Sequence, residues 1–113
     1  MVMPRTRLAE SLDEPALASV LATCGKFTAS RLASRLDHEL PSAIWSSLGR
    51  GAPPMRLVRE MREELCRTGV RAVHVGSEDY PAQLAVDRER PPVLYVRGNL
   101  GHLDHRRVAI IGT

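Results

Sequence analysis

Apolar residues recur every three or four positions in the first part of the chain and then gather into short strand-like runs. Leu17, Val20, Leu21 and Cys24 follow helical spacing. Ser11 and Glu14, three residues apart, read as a capping box for that helix, and Pro15 is tolerated in its first turn. Gly25 stops it. Thr28 is placed to cap a second helix whose apolar face is Leu32, Ala33 and Leu36. Pro41 and Ser42 open a short third helix through Ala43, Ile44, Trp45 and Leu48, and Gly49, Gly51, Pro53 and Pro54 make a loop. A fourth helix is predicted from about Met55 to Arg67, with Leu57, Val58, Met61 and Leu65 inward, Glu63 paired with Arg67, and Gly69 at its end. Trp45 is expected in the core of this four-helix module.

Beyond Gly69 the period changes. Val70 to Val75 reads as a first strand and Gly76 to Asp79 as a polar loop. Tyr80-Pro81 begins a short helical turn holding Leu84 and Val86, with the Tyr80 ring as a packing anchor. Asp87 to Arg90 is a charged connector, Pro91-Pro92 is extended, and Val93 to Val96 is a second strand. Val108 to Ile111 does not alternate, which predicts a strand buried on both faces of a mostly parallel sheet. It runs into Gly112-Thr113, the way a phosphate-binding βα unit begins. A helix to cover such a strand is expected downstream, so the chain reads as the front of a longer protein. The predicted fold class is α+β: a helical module over residues 1–69, then, over 70–113, the first strands of an α/β sheet.

Composition narrows the class. Of 113 residues, 43% are hydrophobic and 26% charged, which argues against wholesale disorder. Apolar runs stop at four residues, against the roughly 20 of a membrane span. The charged N-terminus has no apolar stretch behind it, so a cytoplasmic protein is expected. Cys24 and Cys66 form no C-x-x-C pair; both are expected as small buried hydrophobes on helices. The net charge is +3, divided as ten basic and eight acidic residues up to Gly69 and six and five after it, so charge does not separate the two parts. The basic residues are fifteen Arg and one Lys. Guanidinium groups suit phosphate, but a GC-rich coding sequence enriches Arg equally well, so nucleic-acid contact is permitted by composition and no more.

The stretch from Gly76 to Thr113 carries a denser pattern. Tyr80-Pro81 is followed by Leu84, then by Pro91-Pro92-Val93-Leu94-Tyr95-Val96-Arg97-Gly98, and then by Val108-Ala109-Ile110-Ile111-Gly112-Thr113. In order and spacing this resembles the entry to the Rossmann-like domain of the DprA (Smf) family of DNA-processing proteins. The helical part is similar to that family's N-terminal module, a sterile-alpha-motif or helix-hairpin-helix-like bundle. It departs from it at Cys24-Gly25-Lys26-Phe27-Thr28, where the second Gly of the family's Gly-apolar-Gly turn is missing. The resemblance implies single-stranded DNA binding, delivery of the strand to the recombinase RecA in natural transformation and recombination, a homodimeric parent protein, no enzymatic step and no cofactor. It also implies that much of the DNA-, dimer- and RecA-contacting surface lies downstream of Thr113, leaving residues 1–113 weak or inactive alone.

Candidate nucleic-acid residues follow. Gly112 and Thr113 are the first turn of an anion-binding loop, or a plain strand end. Lys26, Arg31 and Arg35 form a phosphate-contacting stripe, or the solvated face opposite Leu32 and Leu36. Arg97 ends the second strand, where the carboxyl ends of parallel strands mark a ligand crevice; the structural alternative pairs it with Glu89 or Asp104. His102, Asp104 and His105 match no zinc spacing, and no catalytic constellation is present, so neither a metal nor a catalytic residue is assigned. Two other functional classes stay open: the front of a Rossmann-like nucleotide or phosphoribohydrolase enzyme, and a helical protein-interaction module.

Overall fold

The computed structural model describes residues 13–97 together with the strand Ala109–Gly112. Four helices come first: α1 (Glu14–Thr23), α2 (Ala29–Leu36), α3 (Pro41–Ser47) and α4 (Met55–Thr68), with a 3-10 turn at Gly49–Gly51 before α4. Strand β1 (Arg71–His74), the one-turn helix α5 (Ala82–Ala85), β2 (Val93–Arg97) and β3 (Ala109–Gly112) follow.

The helix ends are closed locally, with one revision. Asp13 caps α1, its carboxylate accepting from the Ala16 N–H at 3.1 Å. The expected Ser11–Glu14 box is not the cap; Ser11 lies outside the described residues, and Glu14 is committed elsewhere. Its carboxylate accepts from the Ser42 N–H at 2.9 Å and the Ser42 hydroxyl at 2.8 Å. Glu14 thereby satisfies the first turn of α3, whose own cap residue Leu40 offers no side-chain acceptor. Thr28 caps α2 as expected, accepting from the Arg31 N–H at 3.1 Å. Gly69 closes α4 in the left-handed region at φ 71°, and the Val70 N–H reaches the Leu65 carbonyl at 3.0 Å. On α4, Arg67 pairs with Glu64 at 2.5 Å and not with Glu63; both acids are one turn back, and the i−3 neighbour takes the guanidinium.

The strands make one three-stranded sheet in the order β1-β2-β3, antiparallel throughout. Arg71, Ala72, Val73 and His74 stand opposite Val96, Tyr95, Leu94 and Val93. The expected parallel arrangement is overturned. A parallel return needs a crossover long enough to carry the chain back over the sheet, and α5 is only four residues long. An apolar run such as that from Val108 to Ile111 carries no information about strand direction.

Helices and sheet share one core. Leu21 of α1, Leu32, Ala33 and Leu36 of α2 and Ile44 of α3 pack with Val73, Val75, Tyr80, Leu94 and Val96. A second cluster joins Ala16, Leu17 and Val20 to Val58 of α4, and Trp45 packs against both clusters. The other side of the sheet places Ala72 and Val93 on Ala18, with Leu65 and Tyr95 at the margin. Helix α1 is therefore enclosed on all sides, which is why Ala16 to Leu21 are uniformly buried and the segment has no polar stripe.

Three further contacts tie the parts together. Gly76, at φ +94°, sits so close to the end of α2 that a Cβ there would lie 2.3 Å from the Leu36 carbonyl oxygen. Arg90, largely buried, pairs with Asp37 and donates to the Asp87 carbonyl at 3.1 Å. The Tyr80 hydroxyl donates to the Pro91 carbonyl at 2.8 Å, and burial pushes its phenol above the ordinary value. Leu84 packs on the core, but Val86 is 84% exposed, because α5 ends before it. Cys24 is half-buried and Cys66 exposed, contrary to expectation: Cys66 is one residue round the helix from the inward Leu65.

Candidate nucleic-acid interface

Strand β2 alternates. Leu94 and Val96 face the shared core, so Val93, Tyr95 and Arg97 point to the other side. Arg97 ends the strand exposed, as its position in the sequence suggested. Its Cα partner on β3 is Ala109, whereas Gly112 stands opposite Tyr95. Arg97 and Gly112 thus lie at opposite ends of β3, about 10 Å apart along the strand. Antiparallel pairing undoes the expected crevice, in which the carboxyl ends of the two strands lie side by side. Thr113, His102, Asp104 and His105 lie outside the described residues.

The helical candidates separate as well. Lys26 and Arg31 are exposed, with Lys26 Nζ beside Gly51, 3.7 Å from where a Cβ would sit. Arg35 is engaged by its neighbours. Its Nε and one terminal nitrogen donate to the two Glu39 carboxylate oxygens at 2.9 and 2.8 Å, and a longer contact of 3.4 Å reaches the Ser47 hydroxyl. The guanidinium also lies 5.8 Å from the Phe27 ring centroid. The hydrogen bond to Glu39 raises the Arg35 pKa, and the same bond lowers that of Glu39. Of the stripe, only Lys26 and Arg31 present their charge outward without such a local partner among the described residues.

A cavity of about 290 Å³ opens between the end of α1, the start of α2 and the approach to β2. Thr23, Ala29, Glu89, Pro91, Pro92 and Tyr95 line it. Thr23 and Ala29 flank the turn that carries Lys26, and Tyr95 is two residues from Arg97 on the same side of β2. Two regions that sequence reading treated separately therefore border one hollow. Sequence reading did not single out Tyr95, and named Glu89 only as a partner for Arg97; the two-residue alternation linking Tyr95 to Arg97 was the available signal that Tyr95 shares its side of the strand.

Comparison with known proteins finds a similarity in the second part of the chain. Residues 71–113 match the model of a family described as DNA recombination-mediator protein A. No curated protein and no solved structure matches. The match begins at the first residue of β1 and takes in all three strands. Among the described residues, no helix is long and apolar enough to cross a membrane. The matched residues, fewer than half of the chain, are thus similar to a family of DNA recombination mediators.

Proposed function

We propose that this chain is part of a cytoplasmic DNA-processing protein that binds single-stranded DNA and delivers it to the recombinase RecA during recombination and natural transformation. Residues 1–69 form its sterile-alpha-motif or helix-hairpin-helix-like module, and residues 70–113 open its Rossmann-like domain, in a parent protein that works as a homodimer. The action is binding without bond chemistry, and needs no cofactor. The observation that carries this reading is the family match over 71–113, which coincides with the sheet.

The chemistry available is electrostatic. Exposed Arg97 supplies a planar fork for phosphate at the end of β2, and Gly112 with Thr113 supplies backbone amides for a second phosphate. Lys26 and Arg31 add weaker contacts from the helical side. Three or four neutralised phosphates give a log–log salt slope of about 2 to 3 and a dissociation constant of about 10⁻⁴ M at physiological salt. The test is a salt titration of a labelled single-stranded oligonucleotide against a duplex of the same sequence. The expected result is that slope, with the single strand favoured. A preference for duplex overturns the reading, and failure to bind at low ionic strength overturns the placement of phosphate contacts on this chain.

A further inference from the structure

We propose that the cavity beside Tyr95 is a nucleobase pocket: an unstacked base lies on the Tyr95 ring and offers its Watson–Crick edge to Glu89, while its phosphate meets Arg97. The proposal rests on the single-stranded DNA reading above and adds base contact to it.

Size and walls come first. At about 290 Å³ the cavity falls at the low end of small-molecule sites, which run from roughly 300 to 1,000 Å³. It has room for one flat heteroaromatic ring system. Pro91 and Pro92 make a rigid apolar wall, Ala22 and Ala29 keep the floor shallow, and the half-buried Tyr95 supplies a π-face. The β3 residue opposite Tyr95 is Gly112, which has no side chain to cover the ring.

The polar groups then select the occupant. The Thr23 hydroxyl already donates to the Ser19 and Val20 carbonyls, both at 3.2 Å, which leaves it only acceptor capacity. Glu89 is exposed, and its backbone N–H is fixed by the Asp87 carboxylate at 2.8 Å, so the turn that presents it is held. A carboxylate only accepts hydrogen bonds. Guanine offers it two adjacent donors, the ring imino and the exocyclic amino groups. Cytosine and adenine offer one amino group beside an acceptor, and thymine one imino group between two carbonyls. Guanine is therefore the preferred base. Arg97, two residues along on the same side of β2, is about 7 Å away, the reach from a base to its own backbone phosphate. Inside a duplex the base's edge is paired and its faces are stacked, so the pocket accepts single strands only.

The test uses the 113-residue chain at low ionic strength and three labelled oligothymidylates of about twelve nucleotides: unmodified, with one central dG, and with one central abasic site. The expected order is dG over thymidine over abasic, with dG favoured over abasic by about tenfold. Glu89→Ala, at an exposed position, abolishes the preference for dG while leaving binding to plain oligothymidylate equal or tighter, since a negative charge is removed. Tyr95→Phe keeps the dG-over-abasic ratio, and Tyr95→Leu loses it. Equal binding of the dG and abasic strands, or a dG preference that survives Glu89→Ala, overturns the pocket while the single-strand reading stands. Absence of binding to all three strands overturns the pocket and, with it, the placement of phosphate contacts on this chain.

Discussion

The helical segment and the sheet segment are held together by different kinds of contact. In the helical segment most closures are local: Asp13 caps α1, Thr28 caps α2 and Gly69 ends α4, each acting within a few residues of itself. The sheet has no such reserve. Its strands are four or five residues long, and its apolar face needs a second layer to bury it. Its stability comes from the helices that supply half of its core and from the contacts of Gly76 and Arg90 with the end of α2. The segment that carries the family match therefore borrows its shape from the segment that does not. The surface that β2 and β3 present is a joint product of both.

The strongest way to break this dependence is from the helical side. Ile44→Ala, at a fully buried position, should cost about 3 to 4 kcal/mol. If the core is shared, amide exchange at Val73 and Val96 should accelerate as much as exchange at Leu21. Next is Gly76→Ala, which should cost about 2 to 3 kcal/mol in denaturant titration, because it adds a steric overlap with Leu36 to an unfavourable φ. Gly25→Ala is its control: φ is +82° but the surroundings are open, so about 1 kcal/mol is expected.

Smaller effects sharpen the picture. Asp37→Ala removes the partner of a largely buried guanidinium and should cost about 1 to 2 kcal/mol, tempered by the exposure of Asp37 itself. Thr28→Ala should cost about 1 kcal/mol and, being local, should leave exchange in the sheet slower than in α2. The smallest effect is electrostatic. Arg35 holds the Glu39 carboxyl below its unfolded-state pKa. That contribution is present above the unfolded carboxylate value and is lost as pH falls through the folded one. Glu39→Gln should slightly lower stability at neutral pH and flatten the acid side of the stability–pH curve by the same small amount, the difference from the parent vanishing once pH is below the folded value.

What was legible in the sequence follows the same division. Helix spacing and the Thr28 and Gly69 signals act within one turn, so they could be read directly. The α1 cap was misplaced because Glu14 serves Ser42, 28 residues away, a choice only the tertiary structure discloses. The strands of the sheet were locatable from apolar runs flanked by Pro and Gly. Their direction was not, because it depends on whether the connection can cross the sheet. That error split the candidate site: Arg97 is at its strand end as read, but Gly112 is at the far end of β3. The engagement of Arg35 by Glu39 was readable as an i,i+4 pair, whereas its contacts with Ser47 and Phe27 depend on how α2 meets α3 and the Lys26 turn.

The central claim is that single-stranded DNA meets this chain on the sheet and not on the helical stripe. The most direct measurement is a titration of the isotope-labelled chain with a single-stranded oligonucleotide at low salt, following amide chemical shifts residue by residue. The account predicts shifts concentrated at Tyr95, Arg97 and Gly112, with the Lys26 turn moving less and α2 beyond Arg31 hardly at all. Shifts centred on Lys26, Arg31 and Arg35, with β2 and β3 unchanged, would contradict it and make the helical module the DNA reader.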